Sequence, residues 1–172
     1  MEQHLNAYPL AYFITFTSYG TRIHGNPAGS VDRNHTHHGT PNLPPNRERL
    51  RSARRRMVQS PYKMDAPRRD LVLKTILEVC NYRNWTALAV HVRTNHIHCV
   101  VQAEIIPEPV MDDFKEYASR KLNRAGLDPV GRRRWTRHGS TKYLWTESQV
   151  DAAIHYVVYE QGEPMALFVL KR

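Results

Sequence analysis

The stretch Asn95-His96-Ile97-His98-Cys99-Val100-Val101 decides the reading of this chain, because it sets two histidines one residue apart inside an otherwise apolar run. Successive side chains of a strand point to opposite faces, so a strand here puts His96 and His98 on one face and Ile97, Cys99 and Val101 on the other. The second set suits a core. The first projects two imidazoles side by side, and neutral imidazole is the commonest protein ligand for a divalent metal. A strand holds such a pair more rigidly than a loop does. A His-x-His on its own also occurs as two hydrogen-bonded surface groups, so the motif has to be weighed with the rest of the chain.

Working outward, 85–92 reads as a strand that Arg93-Thr94-Asn95 turns into the histidine strand, giving a hairpin. Before it, 67–84 predicts a helix with Asp70 near its start and Leu71, Val72, Ile76, Val79 and Cys80 on an apolar face. The β-branched and aromatic run over 11–19, closed by Gly20, predicts the first strand. After the hairpin, 107–125 has helical spacing, with Val110, Phe114, Tyr117, Ala118 and Leu122 inward, Lys115, Arg120, Lys121 and Arg124 outward, and Gly126 ending it. A short strand over 141–145 leads to Thr146 and Gln149, spaced as a capping box, which starts a last helix to about 161 before Gly162 and Pro164. The expected class is α+β: a ferredoxin-like split βαβ antiparallel sheet with helices on one face and an extra C-terminal helix. One domain over 1–172 is expected, with a loop and basic-helix insertion at about 20–60.

The 172 residues include 25 Lys and Arg against 16 Asp and Glu, a formal charge of +9, so a polyanion such as nucleic acid is the first partner to expect. The two cysteines, Cys80 and Cys99, form no paired metal or redox spacing, which excludes a disulfide framework and zinc ribbons. No apolar stretch approaches the roughly 20 residues of a membrane span, and the first residues lack a signal-peptide pattern, so the expected location is cytoplasmic. His24, His35, His37 and His38 fall in a polar, Gly/Pro-rich loop and are not taken as ligands, because a metal site needs fixed geometry.

The positive charge clusters twice. Arg47, Arg49, Arg51, Arg54, Arg55 and Arg56 share one short helix with a thin stripe of Leu50, Ala53 and Met57, and Arg47, Arg51, Arg54 and Arg55 are its candidate phosphate contacts. Arg132, Arg133, Arg134 and Arg137 surround Trp135 in a basic loop over 132–138 and are expected to hold DNA phosphates with the basic helix. Trp135 either stacks on an unpaired base or anchors the core.

On the last helix, 100° per residue gathers Val150, Ala153, Ile154, Val157 and Val158 on the core side. Tyr156 falls on the shoulder of that stripe with Glu160 beside it, whereas Tyr159 points nearly opposite. A shoulder side chain can overhang a site on the sheet, which makes Tyr156 the better candidate for chemistry.

With Tyr19-Gly20-Thr21, Arg93-Thr94-Asn95-His96-Ile97-His98, the block from Trp135 to Trp145 and the terminal helix taken together, nearly the whole chain resembles the single-tyrosine HUH transposases of the IS200/IS605 type, and most of all their REP-associated relatives. The resemblance implies an endonuclease that cleaves and rejoins single-stranded hairpin DNA through a 5′-phosphotyrosine. It implies Tyr156 as nucleophile, and Mg²⁺ or Mn²⁺ held by His96, His98 and a polar group from the tyrosine helix. The family's amide stands about one turn after the tyrosine; here that position is Glu160 and the amide is Gln161, so the third ligand is Glu160 or Gln161. Two other readings stand beside it, a non-catalytic single-stranded DNA-binding module and a metal-dependent phosphoesterase that activates water. Whether the active unit is a monomer or a homodimer stays open.

Overall fold

Eight mostly buried residues, Ala11–Ser18 (β1), lie antiparallel to the histidine strand His96–Gln102 (β3), pairing Thr15 with His98 and Thr17 with His96. The computed structural model describes residues 8–21, 23 and 44–171. The remaining elements are Arg47–Arg55 (α1), Ala66–Arg83 (α2), Thr86–Val92 (β2), Pro107–Arg124 (α3), Trp135–Leu144 (β4), Glu147–Tyr159 (α4) and Ala166–Val169 (β5). The sheet order is β4-β1-β3-β2-β5 with every neighbouring pair antiparallel. Its first four strands have the split βαβ arrangement expected, and β5 extends it along the outer edge of β2.

Local chemistry accounts for most boundaries. The Asp65 carboxylate accepts the Arg68 N–H at the start of α2, Pro67 takes a first-turn position where no N–H is missed, and Asn84 closes the helix in the left-handed conformation (φ 57°). The Thr146–Gln149 capping box forms as expected. Strand parity then sorts the sheet. Tyr12, Ile14, Phe16, Ile97, Cys99 and Val101 pack under α2 and α3, while Ala11, Val100 and Leu144 pack under Val150, Ala153 and Val157 of α4. An irregularity between Ala87 and Ala89 turns Leu88 and Ala89 to the α4 side and returns Val90 to the other. The extra helix therefore covers the face that α2 and α3 leave open, which is the face that carries both histidines.

Four expectations need correction. β4 begins at Trp135, not 141, because its polar half completes the pairing with β1 as an edge strand, where one face can stay wet. Gly139 permits this: a Cβ there would press on the Met111 Sδ and the Thr15 carbonyl. Lys115 is buried, not outward; its ammonium lies over the Phe16 ring and donates to the Thr136 and Arg137 carbonyls, and burial lowers its pKa. The short strand β5 stands where no strand was expected, and α4 ends at Tyr159 rather than 161. The four loop histidines His24, His35, His37 and His38 lie outside the described residues. Among the described residues, no helix is long and apolar enough to cross a membrane.

Candidate active site

The two histidines stand as strand parity requires, their ring centroids 4.9 Å apart. His98 is 7% exposed and shares a 2.7 Å hydrogen bond through Nδ1 with the Thr15 hydroxyl, its cross-strand partner. Its ring stacks on Phe13 at 5.6 Å. The Nδ1 of His96 lies 2.8 Å from the Asn95 side-chain oxygen. Burial, then the neighbouring His96, lowers the His98 pKa to about 4, so at neutral pH this imidazole is uncharged and has a lone pair to offer.

Helix α4 brings the tyrosine to the same place. Tyr156 is 38% exposed and sets its ring edge-on to His98 at 5.6 Å and to Phe13 at 5.7 Å. Tyr159 is 72% exposed and packs instead on His155. Glu160 caps α4 and turns to the same His155, 3.1 Å away. Gln161, just past the helix end, hydrogen-bonds His98, and its Nε2 reaches the Tyr156 carbonyl at 3.4 Å. Of the two candidates for the third ligand, the structure thus carries Gln161 to the histidines and Glu160 away. The chain past α4 curls back through Gly162 (φ 72°), so helical spacing no longer governs which face a residue takes.

His91 of β2, whose role no sequence motif signals, pins this arrangement. It is fully buried, its Nδ1–H donates to the Val157 carbonyl at 3.0 Å, and its Nε2 accepts the Met165 N–H at 3.1 Å. Arg93 Nη1 adds a bond to the Glu163 carbonyl at 2.8 Å. The segment bearing Gln161 is thereby fastened to β2. Thr15 gives no sequence signal either; both partners become visible only once strand register is known.

Among the described residues no three His, Cys, Asp or Glu side chains stand close enough to hold a metal. The donor set that does fit is mixed: the two imidazoles and the Gln161 amide, whose oxygen is a hard donor of the kind Mg²⁺ and Mn²⁺ accept. The Thr15 and Asn95 contacts orient the rings as outer partners of ligating histidines do.

The basic residues divide by what they touch. In α1 the arginines Arg47, Arg51, Arg54 and Arg55 are exposed, and the helix contributes no buried residue. Leu50, Ala53 and Met57 face two clefts near Gly20, of about 690 and 620 Å³, which Arg54, Arg133 and Arg137 also line. Arg132 holds Gln59 and the Ser60 carbonyl and lies over Tyr62, and Arg133, exposed, lies over Tyr19. Arg134 is enclosed: it donates to Asp128 at 2.8 Å and Asn123 at 2.7 Å. Trp135 is half-buried: its Nε1–H is shared between the Lys115 carbonyl and Ser119, its ring is set against Phe16 and Tyr62, and it also lines the smaller of these clefts. The reason is Asp128, a carboxylate buried between Arg68, Arg134 and Tyr62 that recruits one arginine of the run inward.

The family model described as "Transposase IS200 like" matches residues 53–157, which include His96, His98 and Tyr156. No curated protein matches the sequence. Among solved structures, one similar chain is a REP-associated tyrosine transposase bound to a REP hairpin, at 11% identity and a TM-score of 0.48, covering 91% of this chain and 69% of that one. With the family model covering more than half of the chain, both histidines and Tyr156 included, the chain belongs to the IS200-like transposase family.

Proposed function

We propose that the chain cleaves and rejoins single-stranded DNA, with Tyr156 as nucleophile and His96, His98 and Gln161 as the residues that hold Mg²⁺ or Mn²⁺. The observation that carries the reading is the placing of the Tyr156 ring 5.6 Å from His98, on the sheet face where His98 and His96 stand 4.9 Å apart. The phenolic oxygen attacks phosphorus, its proton passes to water, and the bond to the 3′ oxygen breaks. That oxygen leaves as a 3′-OH after taking up a proton, and the strand remains as a 5′-phosphotyrosine. The same 3′-OH, or that of another end, reverses the step. A bound divalent ion supplies Lewis-acid polarisation of the scissile phosphate. Phe13 and His98 hold the plane of the attacking ring, Thr15 and Asn95 hold the imidazoles, and His91 with Arg93 holds the segment carrying Gln161.

The substrate that suits this reading is a DNA hairpin with unpaired flanks, of the REP type that the sequence motifs suggest. Its phosphates lie against exposed Arg54, Arg133 and Arg137 and the outer face of α1, at the end of β1 where Thr17 pairs with His96. The reducing cytoplasm is the proposed setting, with both thiols free.

The test is a denaturant-resistant adduct between the protein and hairpin oligonucleotides in the presence of Mn²⁺. Wild type should form it, and Tyr156→Phe should fold and bind the hairpin yet form none, while Tyr159→Phe keeps activity. An adduct mapped to another residue defeats the assignment, and cleavage with no adduct points to water activation.

A further inference from the structure

A cleft of about 520 Å³ opens between β4 and α4, and Tyr156 forms part of its wall. In the sheet order β1 separates β4 from β3, so the cleft extends from the tyrosine toward β4 while the histidines stand on the β3 side. Phe13 and Leu144 give it an apolar floor, and Ala152 leaves room on the helix side. Its volume lies within the roughly 300–1,000 Å³ typical of small-ligand pockets.

Two polar side chains face this space. Lys142 pairs with Phe13 across the strands and so projects on the same face; among the described residues it forms no ion pair. Gln149 is held by the capping box, its Oε1 accepting the Trp145 N–H at 2.7 Å and the Thr146 N–H at 3.3 Å. With the oxygen committed, the amide presents only its two N–H donors to the cleft.

We propose that this cleft receives the unpaired base next to the scissile phosphate, with the Gln149 amide donating to the base and the Lys142 ammonium meeting the adjoining backbone phosphate. The inference rests on the strand-cleaving reading above. Three features choose this occupant over others: the cleft is continuous with the attacking tyrosine, its charge is positive, and its floor offers an aromatic ring on which a base can stack. A donor pinned in one orientation matches a base edge that turns an acceptor to it, an exocyclic carbonyl or a ring nitrogen, and rejects an edge that turns an exocyclic amine to it. The cleft therefore discriminates between bases by the edge each presents.

A pool of hairpin oligonucleotides with randomised unpaired flanks, incubated with the full chain and Mn²⁺, tests this when the covalently captured strands are sequenced. Wild type should deplete at least one base about fivefold, the worth of one neutral hydrogen bond, at one of the two positions flanking the joint. Glu is an equally good capping-box residue, so Gln149→Glu keeps the helix start while removing the donor, and it should abolish or reverse the depletion. Ala152→Leu fills the cleft from an exposed helix position and should erase base preference at that position alone. No preference in wild type, or one that both variants leave intact, overturns the proposal. If wild type captures no strand at all, the strand-cleaving reading itself falls.

Discussion

Replacing Arg134 by methionine separates the two roles an arginine can have in this chain. The pair it forms with Asp128 is only 3% and 5% exposed, so little water screens it. Removing one partner of a buried pair costs about 3–5 kcal/mol when the other charge is stranded. Asp128 keeps Arg68 and Tyr62, and methionine refills much of the volume, which places the cost near the lower bound, about 3 kcal/mol. In a domain of this size that is a fall in Tm of about 6–12 °C. Burial alone would raise the Asp128 pKa, but bonds from Arg134, Tyr62 and Arg68 outweigh it and the net shift is downward. A carboxyl with a depressed folded pKa contributes stability above its unfolded value, about 4, and that stability drains as pH falls through the lower folded value. Urea titrations from pH 7 to 3 should therefore show wild type and Arg134→Met converging at the acid end. Binding of hairpin DNA should show the opposite pattern. Arg134→Met keeps the wild-type salt slope, whereas Arg133→Ala with Arg137→Ala flattens it by about 0.7 for each phosphate no longer neutralised and leaves stability alone. A flattened slope with unchanged stability in Arg134→Met would refute the assignment of this arginine to the interior.

The ligand set is tested by calorimetric titration with Mn²⁺: Gln161→Ala should weaken binding at least tenfold, and Glu160→Ala should leave it near wild type. His91→Ala leaves the Met165 N–H and the Val157 carbonyl without a partner and opens a cavity, so a loss of about 2–4 kcal/mol in urea unfolding is expected. The milder Arg93→Ala should slow single-turnover adduct formation while hairpin affinity holds, since it frees the Glu163 carbonyl that anchors the Gln161 segment and keeps the His91 bonds to Val157 and Met165. Burial pushes the Cys80 thiol up to about 12 and the Cys99 thiol well above its ordinary range, so a thiol reagent at pH 8 should label neither faster than the protein opens.

What sequence reasoning could see was set by local chemistry. The hairpin before His96, the bounds of α2 and the capping box of α4 are written in residues a few positions apart, and the parity of β3 and the 100° step of α4 were enough to place His96, His98 and Tyr156 on the sheet face where they stand. What it missed depends on partners far along the chain. The first half of β4 is too polar to read as a strand until β1 is beside it, and the four residues of β5 carry no alternation of their own. Lys115 and Arg134 look like solvated cations until the Thr136 carbonyl and Asp128 are brought to them. Glu160 and Gln161 could not be told apart by spacing, because the direction each side chain takes is set in the curl after the helix, where Gly162 and the bonds from His91 and Arg93 fix the course of the chain.

The strand β5 bears on stoichiometry. Because the chain returns after α4 to hydrogen-bond the outer edge of β2, the tyrosine helix is stapled to its own sheet before and after, by β4 and by β5. The helix that bears Tyr156 thus lies against the histidine strand of its own chain, and Tyr143 and Tyr159, the flanking tyrosines, pack on Trp145 and His155 instead. On the proposed strand-cleaving reading, each molecule then holds one covalently bound strand end at a time. Two ends would be exchanged either in sequence at one molecule, with the first linkage resolved before the second forms, or simultaneously by two molecules that each contribute a whole site.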